Sequence, residues 1–382
     1  MTIRFTHNER PTVGVEMELN VVDPASGVLV SAANELLANL GAGHPGGEHP
    51  KAKHELFQST IEVITGVCET PADARRDLQH SIGELRSACN DRGLTLMSSG
   101  THPFSLAREQ HVSPAQRYHD LIDAMQWPAR RLLICGLHVH VGVRDGARAI
   151  AIINELRRHL PLFLALSSSS PYFEGEDSGL ASARSKVFES LPTAGLPPPL
   201  ADWDDFETFM STLLDSRCIS SIREVWWDIR PHPDFGTIEF RMCDATPTVR
   251  ESVALAALAQ TLVVWCDRRI DEGGLPPAAR EWTVRENRWL AARFGVDAEL
   301  IVEHPERGRP ERRPVRDLVT DLHTQLSPIA DELGARAELD DLLLVLERGS
   351  GAIRQRRVVE RGGTLVDVVH HLVDSLATDT IA

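Results

Sequence analysis

The chain has 382 residues, of which 42% are apolar, 25% charged and 5% aromatic, a balance that excludes a disordered polymer. Fifty-five acidic residues against 40 basic ones give a formal net charge of −15, which repels a phosphate backbone and argues against nucleic acid as a partner. The six cysteines form no CxxC pair, MTIRFTHNERP lacks an apolar leader, and stretches such as 251–266 are interrupted by polar residues, so reduced thiols in a cytoplasm and no membrane span are expected.

Residues 12–23 (TVGVEMELNVVD) alternate as a strand, with Val13, Val15, Met17, Leu19 and Val21 on one face and Glu16, Glu18 and Asn20 on the other. DPASG at 23–27 predicts a turn into a short return at 28–31. Residues 54–66 (HELFQSTIEVITG) read as a second long strand, with Gln58, Thr60 and Glu62 sharing a face. Thr70 and Pro71 open a helix whose apolar positions, Leu78, Ile82, Leu85 and Cys89, recur at helical spacing up to Gly93. A short strand at 94–98 follows. Residues 134–143 (ICGLHVHVGV) alternate again, setting His138 and His140 opposite Leu137, Val139, Val141 and Val143.

Beyond this strand the spacing predicts one apolar helix over 146–166, then ordered loops over 167–200 around a short helix near 180–190, and a helix at 203–216. Residues 222–230 and 236–244 read as a strand pair joined by PHPDFG, with Thr237, Glu239, Arg241 and Cys243 on one face. The rest, from about 247, reads as mostly helical. Strands in succession with hairpin-like connections predict an α+β fold, an antiparallel sheet whose apolar face is covered by helices. Residues 1–382 read as a single catalytic domain, with sheet motifs over 10–245 and a mainly helical part over 247–382.

Several strands carry ionisable residues at i, i+2, where side chains share a face. One such pair suits a solvated face; the accumulation of Glu16 and Glu18, Glu55 and Glu62, His138 and His140, and Glu239 and Arg241 does not. Carboxylates brought so close repel unless a cation neutralises them, and oxygen ligands with an imidazole suit Mg²⁺ or Mn²⁺ better than zinc. Arg241 adds a fixed guanidinium fork fit for a phosphoryl group, and no GxxxxGK[ST] is present to hold phosphates by another route.

GVEMELNVVD, HELFQSTIEVITG, GLHVHVGV and VWWDIRPHPDFGTIEFRMCDATPT, in that order, resemble the motifs of the carboxylate-amine ligase family, the type 2 glutamate-cysteine ligases. The likeness runs from about residue 10 to 270 and more weakly through ENRWLAARFG and GAIRQRR. It implies a glutamine synthetase-like catalytic fold, shared with guanido kinases, in which a curved antiparallel sheet forms a funnel. It also implies ATP and Mg²⁺ or Mn²⁺ as cofactors, glutamate as the acid, cysteine as a candidate amine, and a homodimer. Matched motif by motif, Glu18, Glu55 and Glu62 would hold one metal, and Glu16, a histidine of the His138/His140 pair and Glu239 another. Arg241 would meet the nucleotide phosphates, and Arg230 substrate or phosphate. Glu55 and Glu62 lie seven apart, so a bulge or turn must intervene if both are ligands.

The reaction expected is ATP-dependent formation of a γ-glutamyl amide through an acyl phosphate. A metal-dependent amide hydrolase, a non-catalytic binding protein and a guanidino kinase are the alternatives. Trp226 and Trp227 read as core packing, His232 as a loop residue, Cys135 and Cys243 as packing residues, and the Arg354-Gln355-Arg356-Arg357 cluster as a solvated helix face within reach of a nucleotide.

Overall fold

The alternation over residues 12–23 produces β1 (Val13–Val22), whose Val13, Val15, Met17, Leu19 and Val21 are fully buried while Glu16 and Glu18 are half-buried on the opposite side. The structure, a computed structural model, describes residues 3–303 and 310–380. After the 23–27 turn the expected return shrinks to one antiparallel bridge, Val22 to Leu29, before α1 (Ala33–Gly41).

The long strand expected over 54–66 is instead a hairpin, β2 (Ala52–His54) and β3 (Thr60–Ile64), with Glu55 in the turn between them. Gln58 explains the interruption. Its backbone N–H donates to the His111 carbonyl at 2.8 Å and its side chain to the Val112 carbonyl at 2.8 Å, taking it out of the ladder. α2 (Pro71–Asn90) begins where Thr70 and Asp73 form a reciprocal capping box, an arrangement worth about 1 kcal/mol. β4 (Thr95–Met97), α3 (Gln116–Met125) and β5 (Gly136–Gly142) follow.

The single helix expected over 146–166 is two, α4 (Gly146–Leu156) and α5 (Leu160–Ser167). Pro161 sits in the first turn of α5, and a proline inside a continuous helix would lose a hydrogen bond and clash with the preceding turn. The segment 167–200 holds a small hairpin, β6 (Tyr172–Phe173) and β7 (Glu176–Asp177), and the short α6 (Ala183–Phe188). After α7 (Trp203–Asp215), β8 is shorter than the pattern suggested, Ile229–His232, and residues 222–224 form one turn of 3₁₀ helix. A tight turn at Gly236 (φ 65°), where a Cβ would strike the Thr6 carbonyl, leads into β9 (Thr237–Asp244).

Among the described residues the named strands pair antiparallel, and the main sheet runs β2-β3-β1-β5-β9-β8 with β4 also on β1. Between Phe240 and Cys243 the β5–β9 register slips, and both Met242 and Cys243 enter the apolar core. The expected polar face of β9 therefore ends at Arg241, because a bulge shifts the alternation by one residue.

α8 (Val249–Asp271) lies against the apolar face, with Ser252 Oγ 3.6 Å from Met17 Sδ. By length and composition it could cross a membrane, yet 83% of its most apolar window is buried inside the protein. α9 (Glu281–Phe294), the hairpin β10 (Glu299–Val302) and β11 (Glu311–Pro314), and α10 (Val315–Leu333), α11 (Arg336–Arg348), α12 (Gly351–Glu360) and α13 (Leu365–Thr380) complete the described elements. The architecture is α+β with an antiparallel sheet, as the strand order predicts.

Candidate active site

Register alone brings the polar residues together. Glu18 faces Glu62 directly across β1 and β3, Glu16 faces His138 across β1 and β5, His140 faces Glu239 across β5 and β9, and Arg230 faces Glu239 across β8 and β9. Directly opposed side chains on one face stand about 5 Å apart at Cβ, near enough to share an ion. The turn between β2 and β3 carries Glu55 to the same place, which accounts for its spacing of seven from Glu62. Among the described residues three donor sets have one ligand atom each within 4.8 Å of the others: Glu18, Glu55 and Glu62; Glu16, Glu62 and His138; and Glu16, His140 and Glu239. Both histidines take part, each in a different set.

The charges fall into two halves. Glu16 is held well below the usual carboxylate range: burial would raise it, but the hydrogen bond with His138 (Nδ1 to Oε2, 2.9 Å) and the nearby His140 imidazole, 3.3 Å away, outweigh that. Glu239 is also held low, since Arg241, Arg230 and His140 overcome its burial; Arg230 Nε donates to it at 2.7 Å, and Arg241 Nη1 donates to its other oxygen. The other half has no such compensation. Burial, with the Glu18 charge second, pushes Glu55 up to about 8, and burial with Glu55, Glu16 and Glu18 pushes Glu62 well above its ordinary value. The expected repulsion between clustered acids thus resides at Glu55 and Glu62, and Glu16 and Glu239 are already paired.

The donor set fits a hard divalent cation. His140 Nε2 is buried with no hydrogen-bond partner, 3.3 Å from Glu16, and its Nδ1 lies 3.0 Å from Thr237 Oγ1, an orientation that leaves Nε2 free for a ligand. Arg241 Nε is likewise buried and unpartnered, so its guanidinium keeps a donor in reserve.

Two residues at the site, Arg117 and Arg184, carried no signal in the sequence, and a third, His232, is placed differently from its sequence reading. Arg117, at the start of α3, bonds Tyr118 Oη at 2.5 Å, and its charge lowers Glu55. Arg184 of α6 is buried against Gly136, where a Cβ would collide with its Nη2, while the Gly136 N–H donates to Glu18 at 2.6 Å. His232 is no loop residue: it ends β8, buried, stacked on Phe235 at 4.1 Å with the His140 ring 5.6 Å away. The first two come from a loop-bound helix start and a six-residue helix, where no periodicity marks which side chain faces a site. Trp227 is core, as expected, and Trp226 is half-buried. Cys135 and Cys243 are buried, and burial raises both thiols, to about 12 at Cys243.

The sequence profile of the glutamate-cysteine ligase family 2 matches residues 12–371. A Frankia casuarinae protein named "Putative glutamate--cysteine ligase 2-1" is 51% identical over 379 residues, 99% of this chain and 98% of the relative. A Thermobifida fusca protein named "Putative glutamate--cysteine ligase 2" is 48% identical over 373 residues, 98% of this chain and 92% of the relative. In fold, the chain is similar to a glutamate-cysteine ligase from Francisella tularensis solved in complex with AMP, with TM-score 0.67, 11% identity, and coverage of 98% and 92%. A bifunctional glutathione synthetase from Pasteurella multocida aligns with TM-score 0.67 and 14% identity over 97% of this chain and 53% of its own. The chain belongs to the glutamate-cysteine ligase family 2.

Proposed function

We propose that this ligase joins the γ-carboxylate of glutamate to the amino group of cysteine or a similar amino acid at the expense of ATP. The observation that carries the reading is the cross-strand cluster of Glu16, Glu18, Glu55, Glu62, His138, His140 and Glu239 with Arg241 beside it, in a chain of this family. Two Mg²⁺ or Mn²⁺ ions would be held by Glu18, Glu55 and Glu62, and by Glu16, His140 and Glu239. When bound, they neutralise the carboxylates and the ATP polyphosphate.

The protein's own groups then have distinct tasks. Arg241 presents its spare N–H toward charge developing on the transferring phosphoryl group, in a buried setting where such a bond is strong. Arg230 clamps Glu239, bonding as well to the carbonyls of Arg223 and Val225, so that the Glu239–Arg241 pair is fixed before substrate arrives. A carboxylate oxygen of glutamate forms a bond to the γ-phosphorus as the bond to ADP breaks. The amine nitrogen then forms the amide bond, losing a proton, as phosphate leaves with the carboxylate oxygen. Splitting the acyl transfer in this way needs no covalent bond to the protein.

The chain acts as one catalytic unit and assembles as a homodimer, for which light scattering at twice the chain mass is the check. The reaction is tested by ADP release with Mg²⁺, ATP, glutamate and a panel of amino acids. ADP formed only when acid and amine are both present supports the reading; amide cleavage without ATP favours a hydrolase.

A further inference from the structure

Two cavities adjoin among the helices α8, α11, α12 and α13. One, of about 520 Å³, opens at the first turn of α8 and is lined there by Thr248, Arg250 and Glu251, with Asp341 of α11 and Asp374 and Asp379 of α13. The other, of about 350 Å³, is lined by Arg348, Arg354, Arg357, Val358, Arg361 and His371. Arg348, Arg354 and His371 line both, so the two form one cleft with a mixed-charge end and a basic end. None of the donor residues of the candidate active site lines either cavity.

The basic end is unusual in a chain of net charge −15. The residues 354–357, adjacent in sequence, part company in space. Gln355 is buried on Ser99 and Ser169, Arg356 pairs with Asp177 at 2.5 Å, and Arg354 pairs with Glu251 through two bonds of 2.5 and 2.9 Å. Arg357 instead turns to the other side, donating to the Arg348 carbonyl. Among the described residues Arg348, Arg357 and Arg361 have no carboxylate partner, although all three line the same small cavity. His371 Nε2, in the wall shared by both cavities, is buried without a hydrogen-bond partner. Burial, with the Arg354 charge second, lowers the imidazole.

Three guanidiniums that line a cavity of small-molecule size, with no carboxylate partner among the described residues, match the oxygens of a phosphate group. The net charge of −15 disfavours a long polyanion such as nucleic acid. We propose that this cleft is a second ligand site, which binds a small phosphate-bearing anion through Arg348, Arg357, Arg361 and His371. The same chemistry is offered by inorganic pyrophosphate and by the phosphates of a nucleotide, whose nucleoside would extend past Leu344 and Val345 into the larger cavity.

Isothermal titration separates these sources and separates this cleft from the active site. Pyrophosphate and ADP are each titrated into the full chain in EDTA, with the wild type, the double variant Arg357→Gln/Arg361→Gln and Arg241→Gln compared. Arg357 and Arg361 are exposed, so their replacement spares the core; Arg361→Gln alone serves if the double variant melts early. The site predicts that wild type and Arg241→Gln bind alike, that the double variant binds at least tenfold more weakly and Arg361→Gln at least threefold, and that affinity falls with added salt. Equal binding of the two probes means that only phosphate is read, and tighter ADP means that the larger cavity takes the nucleoside. No binding to wild type at millimolar probe, or binding that Arg241→Gln loses and the arginine variants keep, overturns the proposal.

Discussion

Glu239 lies directly opposite Arg230 in the β8–β9 ladder, and the two share a 2.7 Å ion pair that is almost wholly buried. Removing one member of such a pair leaves the other charge uncompensated, at a cost of roughly 3 kcal/mol. Glu239→Gln should therefore lower the thermal unfolding temperature as well as abolish turnover. Glu62→Gln should do the reverse for stability, raising the unfolding temperature of metal-free protein, because it removes a carboxyl whose charged form is disfavoured by burial and by Glu55, Glu16 and Glu18. Melting curves of both variants in EDTA decide the matter; shifts of the same sign would contradict the division of the site into a paired and an unpaired half.

A second prediction concerns pH. The ordinary value for Glu55 is 4.5, and in the folded chain it stands at about 8. Between these values the folded state holds a proton that the unfolded state has lost. Metal-free stability should then be greatest below about pH 4.5 as far as this group is concerned, and should decline as pH rises toward 8. A divalent cation must displace that proton. Mg²⁺ affinity should rise from pH 6 to 8, with proton release visible as a dependence of titration heat on the buffer used. Heats independent of the buffer would show that these carboxyls are not displaced by the metal.

Arg241→Lys keeps the charge and loses the planar fork. If Arg241 touches the transferring phosphoryl group, kcat should fall by about 10²-fold with a smaller change in KM for ATP. A rise in KM alone would move Arg241 to ground-state binding.

Much of the site was legible because period-two alternation states which side chains share a face, and β1, β5 and the first part of β9 keep that period. Legibility failed where the backbone departs from it. The bulge near Met242 sends Cys243 into the core, and Gln58, held by the 110–112 segment, converts an expected strand into the turn that delivers Glu55. Pro161 marks the helix break, yet its effect on a largely apolar run was masked by continuous hydrophobicity. Arg117 and Arg184 reach the site from segments with no regular period, so only three-dimensional contact identifies them.

The most direct measurement follows the oxygen. With ¹⁸O in the γ-carboxylate of glutamate, and with Mg²⁺, ATP and cysteine present, an acyl phosphate requires one labelled oxygen to appear in the released inorganic phosphate. Hydroxylamine in place of cysteine should trap the same species as a hydroxamate. Labelled phosphate together with hydroxamate is the predicted result. Amide formation that leaves the phosphate unlabelled would contradict the account, since the carboxylate would then never have been bonded to phosphorus.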